Sequence, residues 1–122
     1  MKIFFLLGCV MAFLAVALGA FGAHGLEGKI SEKMLKVWEK GVTYQMFHAV
    51  GLFVVAFLMA KLNSSLVSTA GWFMFAGIIL FSGSLYVLST SGIKILGAIT
   101  PFGGVAFLVA WALLAVAAVK GL

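Results

Sequence analysis

Four long apolar runs constrain this chain more than any other feature. Ile3 to Ala23, Val42 to Ala60, Leu66 to Ser89 and Leu96 to Val119 contain no Lys, Arg, Asp or Glu. Each reaches the roughly 20 residues of helix needed to cross a hydrocarbon core of about 30 Å. In lipid every backbone polar group must be bonded internally, which leaves helices or closed barrels, and runs this long and this apolar are helices. The expected fold is all-α, an integral membrane bundle of four transmembrane helices in a single domain over residues 1–122.

Charge is confined to the ends of these runs. All three acids, Glu27, Glu32 and Glu39, lie between His24 and Lys40 with Lys29, Lys33, Lys36 and Lys40. The formal charge of +5 comes from lysines alone, with no Arg, and reads as headgroup-facing charge on the lipid bilayer. No nucleic acid is expected as a partner. At 65% hydrophobic the chain has no soluble domain left to explain. The one cysteine, Cys9, lies inside the first run, which excludes an intrachain disulfide and a CxxC metal pattern and leaves a small buried hydrophobe as the expectation. The first run also has the outline of a secretory signal, with Lys2 ahead and small residues from Gly19 to Ala23, but it is longer than a signal core and three spans follow, so it is expected to be retained. Leu6-Leu7-Gly8-Cys9 resembles a lipoprotein box, yet too few residues precede it for a signal core, and lipidation is not expected.

In the first helix Gly8, Ala12, Ala15, Gly19 and Gly22 recur every three or four residues and share a face, so a second helix can approach closely there. Packing is the plain reading of those glycines, and Gly22, His24 and Gly25 are expected to end the helix in a left-handed cap. Ser31 is then a predicted N-cap with Glu32 in the first turn, and Met34, Leu35, Trp38, Gly41 and Val42 fall on one face. Ser31 to Lys40 reads as an interfacial amphipathic helix between helices one and two, with Trp38 at headgroup depth, running into helix two with or without a bend at Gly41.

Helix two is the chemically richest, because Tyr44, Gln45 and His48 share a face that cannot point at lipid without leaving hydrogen bonds unmade. In helix three Ser82, Tyr86 and Ser89 share a face, with Gly83 and Ser84 beside them. At the head of helix four, Thr100 as N-cap with Pro101 at the first helical position is one reading. A helix that starts near Leu96 and carries Pro101 as a kink is the other. Either leaves backbone groups near Gly97 to Thr100 in need of partners. Candidate polar residues are thus His24, Tyr44, Gln45, His48, Ser82, Ser84, Tyr86 and Thr100, and candidate packing residues are Gly8, Gly19, Gly22, Gly83, Pro101 and Gly104.

The motifs Gly19-Ala20-Phe21-Gly22-Ala23-His24-Gly25-Leu26, Tyr44-Gln45-Met46-Phe47-His48-Ala49, Phe81-Ser82-Gly83-Ser84-Leu85-Tyr86 and Gly97-Ala98-Ile99-Thr100-Pro101-Phe102-Gly103-Gly104 resemble those of the YwdK/YgdD-like small bacterial membrane proteins, a family grouped under a domain of unknown function. The resemblance spans nearly the whole chain and implies a multi-pass protein of the bacterial cytoplasmic (inner) membrane. It implies no activity. Phe47 stands where relatives often carry tyrosine.

Three functional classes fit these residues. His24 and His48 suggest a haem or metal site, but two histidines without Cys, Asp or Glu nearby carry little metal signal, and neither metal nor cofactor is expected. A transporter or channel for a small polar solute would use Tyr44, Gln45, His48, Ser82 and Thr100, yet no carboxylate lies in a span to couple it to protons. A structural or accessory protein, meeting lipid, a second copy or a membrane complex, requires least. An enzyme is not expected, because Ser82 or Ser84 as nucleophile would lack an orienting acid. Both termini share a side with Lys2, Lys61 and Lys120, whereas Lys29, Lys33, Lys36, Lys40 and Lys94 lie opposite, which leans toward termini outside.

Overall fold

A computed structural model describes residues 1–122. It contains four helices long and apolar enough to span a membrane: α1, Lys2–Leu26; α2, Glu32–Lys61; α3, Ser65–Ser91; and α4, Leu96–Gly121. At about 1.5 Å per residue even the shortest exceeds the bilayer core. There are no strands. Short connections force sequential helices to run antiparallel, so α1 packs along α2 and α3 along α4, and α2 against α3 joins the two hairpins. The exterior is apolar, with Phe13, Phe102 and Leu108 each at least 70% exposed, as a surface in contact with lipid tails must be.

Local chemistry explains the boundaries. The Ser31 hydroxyl accepts from the backbone N–H of Met34 at 3.1 Å, with Glu32 in the first turn, so α2 begins where capping predicts. The amphipathic stretch Ser31–Lys40 is not a separate helix. It forms the opening turns of a continuous α2, with no break at Gly41. The end of α1 also differs from expectation. Gly22 is right-handed, Gly22–Leu26 form a π-helical turn, and the left-handed residue is Gly28, with φ 81°. The extra turn is possible because Gly22 carries no side chain against Trp38, while only Gly28, past the helix, has to reverse the chain.

Polar residues Asn63 and Ser64 form the turn before α3, whose C-terminus is capped by left-handed Gly92. A second π-helical turn, Ile78–Ser82, interrupts α3. Helix α4 starts at Leu96 and carries Pro101 internally, which corrects the reading of Thr100 as N-cap. The Thr100 hydroxyl instead bonds back to the Leu96 carbonyl at 3.3 Å. One continuous core runs through the centre, built around Phe4, Leu52, Val55, Val67, Met74 and Phe107. Cys9 lies outside it, exposed on α1 rather than buried.

Candidate functional site

Helix α2 holds the polar residues that sequence placed on one face, and the structure gives each buried one a partner on a neighbouring helix. Gln45, 3% exposed, donates from Nε2 to the Met11 carbonyl of α1 at 2.9 Å. Its Oε1 accepts from the Tyr86 hydroxyl of α3 at 2.6 Å. One carboxamide therefore ties three helices. A turn away, the Ser82 hydroxyl donates to the Gly41 carbonyl at 2.6 Å, and that close approach depends on Gly41 having no side chain, since a Cβ there would stand 2.8 Å from the Tyr86 ring. Trp38 completes the row by donating its indole N–H to the Leu18 carbonyl at 2.9 Å. It is 5% exposed and lies between Phe21 and Tyr86, so it is a bundle residue and not a headgroup anchor.

His48, three residues on along the same buried face, reaches toward α4. Its Nδ1 lies 2.8 Å from the Tyr44 carbonyl, which can only accept, so Nδ1 carries the proton. Nε2 is then the acceptor for the Trp111 indole N–H of α4 at 3.0 Å. The ring stacks on Phe107 with centroids 3.5 Å apart. Both nitrogens are thus engaged, and no lone pair is left for a metal. The remaining pair, Ser84 and Thr100, shares a hydrogen bond of 2.6 Å between α3 and α4. No buried side-chain nitrogen or oxygen lacks a partner.

Two candidates stand apart from this network. His24 is exposed on the π-helical turn, whereas Gln45 sits level with Met11, so His24 lies about 20 Å further along α1 from the level of His48's helix turn. The two histidines cannot share a haem or a metal ion in this fold, and no group of three or more His, Cys, Asp or Glu gathers anywhere. Tyr44 is 42% exposed, its ring against Phe81 on the outer side of α2.

The small residues divide similarly. A Cβ at Gly8 would stand 3.2 Å from the Ala49 carbonyl, one at Gly19 would stand 3.3 Å from Val42, and one at Gly22 would overlap Trp38, so these glycines set the α1–α2 approach. Gly83, by contrast, has nothing within 4 Å, although Ser82 and Ser84 on either side of it are buried. Pro101 is exposed, and Gly104 touches only the edge of Phe81 at 4.0 Å. The tightest contact belongs to a residue sequence reasoning passed over, Gly103, where a Cβ would come within 2.7 Å of the Phe81 Cα. Its signal was the Gly-Gly pair, which does not say which glycine faces inward. Trp111 was missed as well, since an indole in an apolar run resembles any other large residue.

Where Pro101 and Gly104 face outward, α2 and α4 stand apart and leave a groove of about 690 Å³ open to the side of the bundle. Thr43, Tyr44 and Phe47 form one wall, Pro101, Gly104 and Leu108 the other, and His48, Phe81, Phe107 and Trp111 lie between them.

Residues 18–104 match the model of the family described as Protein of unknown function (DUF423). Among similar proteins, the UPF0382 membrane protein YwdK of Bacillus subtilis is 66% identical over 121 residues, covering 98% of each chain. UPF0382 membrane proteins of Staphylococcus epidermidis and Staphylococcus aureus are each 52% identical over 120 residues, again covering 98% of both chains. No solved structure matches. With four spans, a full-length likeness to proteins named as membrane proteins and the family model covering most of its length, the chain belongs to the DUF423 family of membrane proteins.

Proposed function

We propose that this is a non-enzymatic structural or accessory protein of the bacterial cytoplasmic membrane, with its termini outside, that acts through its bilayer-facing surface on lipid or on a membrane partner. The observation that carries this reading is Gln45, whose carboxamide donates to α1 and accepts from α3 and so joins both to α2. A solute site keeps polar groups free for its solute, whereas here Gln45, Ser82, Ser84, Tyr86, His48 and Thr100 are bonded to one another or to backbone. The largest cavity also opens sideways and is lined mainly by apolar residues, unlike an axial route for a polar solute. The two acids of α2, Glu32 and Glu39, lie in its opening turns, and none of the four apolar runs holds an acid that could act in catalysis or proton coupling.

The test compares wild type, Gln45→Leu and His48→Leu, purified in mild detergent, by melting temperature, visible absorption, metal content and solute flux in proteoliposomes. The expected result is a modest loss of stability in both variants, with no chromophore, metal or flux to lose. Stability retained together with loss of a bound haem or metal, or of measurable flux, would overturn the reading. Single cysteines at Lys2, Lys36 and Lys120 in a Cys9→Ala background test the orientation: Lys2 and Lys120 should label from outside intact cells and Lys36 should not.

A further inference from the structure

The groove between α2 and α4 has an ordered chemistry along the helix axes. On α2, Thr43, Tyr44 and Phe47 lie three, four and seven residues beyond Lys40 and share a face with it. These three line the groove, so Lys40 heads its α2 wall, with the hydroxyls about 5 Å deeper and the Phe47 ring about 10 Å deeper. The α4 wall repeats the sequence of charge above apolar surface. Lys94 precedes Pro101 by seven residues, through turns bonded from Gly97 to Lys94 and from Ala98 to Ile95, and Pro101, Gly104 and Leu108 continue the wall downward.

The carboxylates of the chain are elsewhere: Glu27, Glu32 and Glu39 line a separate hollow with Lys36 at the α1–α2 turn. No carboxylate lines the groove, and helix register brings Lys40, and the turn before α4 brings Lys94, to the same end of it. Below this end the Thr43 and Tyr44 hydroxyls are exposed and make no hydrogen bond within the protein, so both are free to donate to a ligand oxygen. The volume, about 690 Å³, lies within the range of pockets that hold small ligands.

We propose that this groove binds one anionic phospholipid, with its phosphate between Lys40 and Lys94, its ester oxygens at Thr43 and Tyr44, and an acyl chain against Phe47, Phe81 and Leu108. The proposal rests on the accessory, lipid-contacting reading above and gives that reading a place and a ligand class. A uniformly apolar groove would accept any chain, whereas the paired lysines select for headgroup charge, each worth about fivefold in affinity, the equivalent of about 1 kcal/mol near an anionic surface.

Native mass spectrometry of the full chain in mild detergent, titrated with dioleoylphosphatidylglycerol or dioleoylphosphatidylcholine, tests it. Wild type should retain one phosphatidylglycerol at least about fivefold more tightly than phosphatidylcholine. Lys40→Gln combined with Lys94→Gln should abolish the preference and leave weak binding of both. Gly104→Phe should remove the bound lipid without lowering the melting temperature in lipid-free detergent, because the space beside Gly104 is open. Val105→Trp, on the exposed lining of the same wall, provides a second block should Gly104→Phe misfold.

Equal retention of the two lipids, phosphatidylglycerol still held by both blocked variants, or a dimer that the blocking substitutions dissociate would each overturn the proposal, the last by showing that a second copy covers the groove. Such a failure leaves the interior bonding of Gln45 untouched. The accessory reading would fail separately, on flux or on a bound cofactor.

Discussion

The two sides of α2 solve the same problem in opposite ways. Toward α1 and α3, glycines at 8, 19, 22 and 41 let backbones come close, and the gap is bridged by Gln45, Ser82 and Trp38. Toward α4 the residues are Tyr44, Phe47 and His48 against Phe107 and Trp111, and the helices stand apart around a groove. In lipid, burying apolar surface does not by itself favour one helix touching another over touching lipid, so helices close only where small residues and hydrogen bonds reward contact. Aromatic rings hold α2 and α4 in register without sealing them.

The largest effect expected from breaking this contrast is at Gly103, which faces the Phe81 backbone on the closed side of α4. Gly103→Leu should destabilise by about 3 kcal/mol, measured as reversible unfolding in mild detergent, because its Cβ alone would come within 2.7 Å of the Phe81 Cα. Gln45→Leu should cost about 1–2 kcal/mol, since it leaves the Tyr86 hydroxyl stranded between α2 and α3. On the open side His48→Leu should cost only about 0.6 kcal/mol, the average for a membrane hydrogen bond, through the lost Trp111 contact. Gly104→Ala, next to Gly103 in sequence, should change stability by less than about 0.5 kcal/mol. A cost at Gly104 equal to that at Gly103 would mean that α4 has no open side.

How much of this could be read from sequence follows from the same contrast. Spans, the Ser31 cap and the inward face of Gln45 and His48 were legible because length, capping and polar periodicity are properties of a single helix. The small-residue face of α1 was legible for the same reason. What was not legible depends on two helices at once. Trp38 looks like an interfacial anchor until α1 supplies the Leu18 carbonyl that accepts its indole hydrogen bond. Gly83 looks like a packing glycine, but no neighbouring helix comes within 4 Å of where its Cβ would stand. Thr100-Pro101 carries a helix-start signal, but the helix begins at Leu96. The groove itself leaves no mark in the sequence, because it is the space left where α2 and α4 fail to close.

The claim at the centre is that the interior polar residues hold helices together, and a double-mutant cycle between Gln45 and Tyr86 tests it most directly. Gln45→Leu, Tyr86→Phe and the double variant would be compared with wild type by reversible unfolding in bicelles. If the 2.6 Å bond between Tyr86 and Gln45 joins α2 to α3 within the bilayer, the double variant will be less destabilised than the sum of the singles, by about 0.6 to 1.7 kcal/mol. Single effects that add, with no coupling between the two positions, would contradict the account.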